Sequence, residues 1–423
     1  MRENVRNYSE NCLYLNVWSS VSCAGKPVLF WIHGGGFQFG AGSLVETNGS
    51  ILSALHDVVV VTVNYRLNAF GFLSLDDDRI PGNMGLYDQA MALRWVRDNA
   101  AAFGADADSI TIWGQGMGSI SVSAHLVSPI SRGLFSRAIM QTGSIFTSRE
   151  MYSHSSEVTD EFVWESGCGE SAEEEKMTED EGVGEEEEES AGKSSELIDC
   201  LRRAPLPQLM RAAEKVSQEN PVAFFITPDE KFFNYSSPNS IKHKMNSVLN
   251  PTLRGLLIGF NSDEGSLLLN SFSPDIFPDS GQPRISDLEE AKRFLIHLFT
   301  TRLGVAKTII QTGINSEFGV NRTSKQQIIK SMIDFVGNNI FVCPTIIFGE
   351  EVAFSDVRAG VHMFTISSRS GYNHLPEWFG TIHNEEVPMM FGMPIASPQE
   401  FSLHDISFSR KLMQTISNFA RSG

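Results

Sequence analysis

Two patterns in this chain have residue types suited to nucleophilic attack on a carbonyl, and the one that should hold the nucleophile lacks it. Residues 109–122, "SITIWGQGMGSISV", read as a strand, a glycine-studded turn and the opening of a helix. A Gly-X-Ser-X-Gly turn in that setting lifts a serine hydroxyl off the end of a sheet. Here "GQGMG" occupies residues 114–118, and Gly116 stands at the central position. Without a hydroxyl a general base has nothing to deprotonate there, and no covalent acyl intermediate forms. Glycine also relieves the strain of a tight elbow, a gain of roughly 1–3 kcal/mol. Ser119, three residues on, falls in the first helical turn, where its hydroxyl is expected to point away and to cap or bury within the helix. Upstream, "HGGGF" at residues 33–37 closes an apolar run. Its glycines let backbone N–H groups converge on one point, as stabilising an oxyanion requires, although a plain tight turn reads the same way.

Such a site needs rigid elements behind it. Continuous apolar runs rich in Val, Ile and Leu lie at residues 26–34, 57–65, 109–114, 137–143, 254–261 and 361–367, the pattern of strands covered on both faces. Helical patterns lie between them, as at residues 85–99, where Leu86, Ala90, Leu93 and Val96 share one stripe. Alternating strands and helices predict an α/β fold with a mostly parallel central sheet flanked by helices. No linker or internal repeat divides the chain, so residues 1–423 read as one domain.

With 423 residues, 41% hydrophobic and 20% charged, the chain can bury a large core and is neither disordered nor fibrous. The net charge of −18 is concentrated: residues 169–199 hold 14 acidic residues and two lysines, including "EEEEE" at 185–189. So dense a run of like charge predicts a solvated, disordered insertion, either tolerated on the surface or docking a basic partner. The overall sign disfavours nucleic acid. The longest apolar runs, such as "VVVVTV" at 58–63, are short for a bilayer and no charged-then-apolar leader opens the chain, so no membrane segment or signal peptide is expected in it. No metal or cofactor is expected.

Beyond these local patterns, "SENCLYLNVW" (9–18), "FWIHGGGF" (30–37), "PGNMGLYDQAMALRWV" (81–96), "GLFSRAIMQTGS" (133–144), "SDEGS" (262–266) and "PEWFGTIHNEEVPMMFGMP" (376–394) follow one another in a familiar order. Together they span nearly the whole chain, which resembles the type-B carboxylesterases and, among them, the cholinesterases. The resemblance implies an α/β-hydrolase fold and a Ser–Glu–His triad in that chain order. It places Gly116 at the lost nucleophile, Glu264 at the orienting acid and His383 at the general base, with the N–H groups of Gly35, Gly36 and Met117 as oxyanion donors.

Departures cluster around that pocket. Gln115 and Met117 replace the usual Glu and Ala of the elbow, and Met117 is bulky enough to fill the room of an acyl group. Asn384 stands for the glycine that commonly follows the base. Leu267 and Leu268 replace aromatics that hold a quaternary ammonium, so cation–π recognition of choline is lost there. The resemblance pairs Cys168 with Cys200 and places the partners of Cys12 and Cys343 outside residues 1–423, in an N-terminal stretch and a C-terminal helical segment; Cys23 has no counterpart. Paired cysteines and four Asn-X-Ser/Thr triplets, at Asn7, Asn48, Asn234 and Asn321, predict an oxidising, glycosylating route to the cell surface or beyond. Inactive relatives such as the neuroligins also carry glycine at the nucleophile position. The resemblance therefore implies a non-catalytic domain with an extracellular protein partner; residual ester hydrolysis and a decayed or incomplete gene product remain the alternatives.

Overall fold

The computed structural model describes residues 8–20, 24–77, 79–147, 155–169, 186–220, 223–227, 229, 231–233, 238–318, 324–356 and 358–423. The strands among them are β1 (Leu15–Trp18), β2 (Lys26–Ile32), β3 (Val59–Val63), β4 (Ser74–Asp77), β5 (Ile80–Pro81), β6 (Ala105–Gln115), β7 (Arg137–Gln141), β8 (Gly255–Asn261) and β9 (Gly360–Ile366). Seven form one sheet in the order β1-β3-β2-β6-β7-β8-β9, while β4 and β5 pair separately. Only β1 runs antiparallel to its neighbour in the seven-stranded sheet. The fold is the α/β-hydrolase arrangement, a mostly parallel sheet clothed by helices.

Alternation along β2 shows why the strand sequences read as unbroken apolar runs. Val28, Phe30 and Ile32 enter one core and Leu29 and Trp31 the opposite one, so every position is buried. The predicted helix appears as Met84–Asn99, with Leu86, Leu93 and Val96 fully buried. A third apolar cluster is mostly helical, built from Ser266–Phe272, Leu288–Arg302, Lys307–Glu317 and Lys325–Gly337, with Phe277 and Ile285 added from the loop between the first two.

The last of these helices starts at a capping box, Ser324 with Gln327, and runs through a π turn, Asn338–Val342, into Cys343–Ser355. By length and composition Lys325–Ser355 would suffice to cross a bilayer, but 56% of its most apolar window is buried within the fold, as in a core helix.

The far end of the acidic stretch is helical where disorder was expected. Residues 170–185 lie outside the described residues, but Glu186–Arg203 is a helix. The reason is at its far end: Ile198 and Leu201 are 1% and 6% exposed, and Cys200 bridges to Cys168 as the resemblance implied. Averaging charge over residues 169–199 hid Ile198, and Cys200 and Leu201 fall just beyond that window. Ile198→Ala is therefore expected to lower stability by about 2–5 kcal/mol in a denaturant melt, as for a core isoleucine; a loss within error would mean that the helix does not pack. Asn7, Asn234, Asn321 and Cys23 also lie outside the described residues, whereas Asn48 is exposed. Cys12 and Cys343 are free thiols.

Candidate active site

In a parallel sheet the strand ends that precede the crossovers all open on one edge, and side chains gather there. Here β2 delivers His33–Gly36, β6 delivers Gln115 and Gly116, β7 delivers Thr142, and β8 delivers Asn261 and Glu264. His383 arrives on the loop before the short helix Glu386–Met390.

These residues meet. Nδ1 of His383 lies 2.6 Å from Oε2 of Glu264. Oε1 of Glu264 accepts from the Thr142 hydroxyl at 2.5 Å and from the Asn261 N–H at 2.7 Å. Thr142 holds φ at 57°, a left-handed conformation costly for a β-branched residue, and from that position its hydroxyl reaches Glu264. The imidazole stacks on Phe341 from the π turn, with ring centroids 5.0 Å apart and planes 10° apart.

Gly116 joins β6 to the helix Met117–Val127 with φ 57° and ψ −118°, an elbow that few side chains tolerate. A Cβ built there would lie 3.0 Å from Nε2 of His383, so the empty seat does face the base. The neighbour in contact is Gln115, whose Nε2 lies 2.8 Å from Nε2 of His383. Gly35 and Gly36 lie on the loop that follows β2, and Met117 opens the helix after the elbow. Met117 is half-buried and packs on the main core. Ser119 is fully buried and donates to the Gly143 carbonyl at 2.6 Å, the buried helical serine expected. Asn384 takes φ 74°, a conformation that asparagine tolerates better than most residues in place of glycine. Leu267 and Leu268 sit half-buried in the first turn of Ser266–Phe272.

One charged neighbour escaped sequence reading. Glu386 is 4% exposed; its carboxylate accepts from Gln141 at 3.0 Å and from Asn261 at 2.5 Å. Burial, reinforced by Glu264, pushes its carboxyl up to about 7. Burial pulls His383 down, but Glu264 and then Glu386 outweigh it, and the imidazole ends above its ordinary value. The doublet "EE" at 385–386 was visible in sequence, but nothing there marks one of the two as buried against the imidazole. A cavity of about 360 Å³ backs onto Glu264, lined also by Ser262, Asp334 and Met363; neither Gly116 nor His383 lines it.

A mostly parallel sheet flanked by helices, with an elbow at the end of β6 facing an acid–imidazole pair, defines the α/β-hydrolase class. The chain belongs to the carboxylesterase family, whose model matches residues 1–423. It is 31% identical to the acetylcholinesterase of Leptinotarsa decemlineata over 440 residues, covering 99% of this chain and 66% of that protein. It is likewise 31% identical to the cholinesterase of Mus musculus, covering 99% and 65%, and 29% identical to acetylcholinesterase-1 of Trittame loki, covering 98% and 71%. The chain thus spans about two thirds of the length of these curated relatives.

Proposed function

We propose that this chain is a non-catalytic carboxylesterase-family domain that binds a protein partner outside the cell. The observation that carries the reading is the occupant of the base: Nε2 of His383 meets the Gln115 amide beside Gly116, where a hydrolase of this class needs a serine hydroxyl. In the same reading Glu264 and His383 keep the acid and base positions, and Gly35, Gly36 and Met117 keep the oxyanion positions, without a reaction to serve. The Cys168–Cys200 disulfide supports an oxidising compartment, and the exposed Asn48 is open to glycosylation.

The paired Glu264 and His383 favour a second reading, residual hydrolysis through a water activated by the imidazole. A serine-directed phosphonate probe and an activated-ester assay separate the two. Purified protein is expected to take up no probe and to hydrolyse the ester at the rate of a His383→Ala control. Stoichiometric labelling at Ser119, or hydrolysis that disappears in that control, would replace the first reading with the second.

A further inference from the structure

Loss of the serine is one change at this site; the engagement of the base is another. Gln115 ends β6, is 4% exposed, and its amide contacts His383 directly. The direction of that hydrogen bond follows from the rest of the network. Oε1 of Glu264 is filled by Thr142 and by the Asn261 N–H, and Oε2 faces Nδ1 of the imidazole. A carboxylate can only accept, so the proton of the neutral ring sits on Nδ1 and the lone pair on Nε2. The Gln115 NH₂ is then the donor. It uses the lone pair that would otherwise take a proton from a serine or a water. The rest of the Gln115 residue is fitted as closely: a Cβ at Gly34 would come within 2.6 Å of its carbonyl oxygen and 3.0 Å of Oε1.

We propose that Gln115 is a positioning residue that latches His383, consuming the Nε2 lone pair and fixing the Nδ1–H tautomer, so that two residues and not Gly116 alone silence the site. The inference rests on the silenced-site reading above and names its second component. It also makes the latch sensitive to protonation. When His383 gains a proton, Nε2 becomes a donor facing an amide NH₂, and Gln115 must turn to offer Oε1 instead. The charged groups that act on the ring are Glu264 and Glu386, both of which favour that proton, while the Phe341 face packs against it without charge.

Imidazole ¹⁵N NMR of the whole chain tests this. In the wild type the neutral ring is expected as the Nδ1–H tautomer, with Nε2 shifted away from the position of a free acceptor. Gln115→Leu keeps the bulk and removes the donor. It is expected to return Nε2 to the free-acceptor position and to raise the His383 titration by about one pH unit, the scale of one hydrogen bond made only to the neutral ring. Gln115→Glu, which accepts but does not donate, is expected to raise it further. A folded Gln115→Leu protein with unchanged Nε2 shift and unchanged titration overturns the latch. So does a wild-type spectrum with Nε2 protonated on the alkaline side of the titration, a result that needs no variant to fold. The latch and the silenced-site reading fail separately, because probe labelling at Ser119 would overturn the second while leaving the titration as expected.

Discussion

Gly116→Ser alone is expected to give ester hydrolysis barely above the wild type, and the triple change Gln115→Glu, Gly116→Ser, Met117→Ala to exceed it by about two orders of magnitude. The new Cβ would stand 3.0 Å from Nε2 of His383 and 3.5 Å from Cε1, close enough to force a small shift of the ring, and φ of 57° strains any L side chain. The hydroxyl so placed must compete with the Gln115 amide for the same lone pair. Met117 provides one of three candidate oxyanion N–H groups, and a flexible side chain beside that donor disturbs it; the loss of one such donor typically costs about 3 kcal/mol of transition-state stabilisation. Turnover of a small activated ester, with folding checked by near-UV circular dichroism, measures the difference. A single variant as fast as the triple would show that neither Gln115 nor Met117 obstructs. A folded but silent triple variant would strip Glu264 and His383 of any mechanistic content.

Stability should fall as the solution becomes more alkaline across the neutral range. The Glu386 carboxyl titrates at about 7 in the fold, against 4.5 for a free glutamate. The folded chain therefore binds that proton more tightly, which adds stability in full below the unfolded value and loses it as pH rises through the folded one. His383 works in the same direction: its value is raised above 6.5, so its contribution is complete below that point and gone above the folded value. Glu386 alone accounts for about 3 kcal/mol on this scale. Denaturant melts are expected to show a lower midpoint at about pH 8 than at about pH 5. Glu386→Gln should flatten that slope, whatever it costs in absolute stability by setting an amide against the donors of Gln141 and Asn261. An equal slope in both proteins would place the titrating group elsewhere.

Five of the six sequence-read strands are covered on both faces, which leaves a periodicity-free apolar run too short to be a helix; the sixth, β9, lies at the sheet edge and is largely exposed, so its apolar run was legible for a different reason. β1 went unread: four half-buried residues at a sheet edge carry too little pattern. The motifs located Gly116, Glu264 and His383, and the structure sets the last two in contact. Sequence also marked Gln115 as a departure, but not that its amide reaches a ring 268 residues further along the chain, since such contacts depend on tertiary packing. Thr142 and Phe341 were hidden for a related reason: one acts through an unusual backbone angle and the other through an irregular turn, and neither leaves a compositional trace.

The π turn at Asn338–Val342 carries a further consequence, for insertions and deletions. Upstream of it, Ile328 to Val336 serve the helical cluster; downstream, Phe348 and Val352 serve the sheet's core, and Phe341 within it serves His383. One continuous screw thus meets three surfaces at once, and the wide turn sets the phase between them. Each residue of an α-helix advances the screw by about 100°. Taking one residue out of the α turns on either side would keep every side chain chemically intact yet swing the downstream face away from the sheet, whereas the wide turn, which holds one residue more than an α turn, is the one place where a single deletion would leave the two faces in phase.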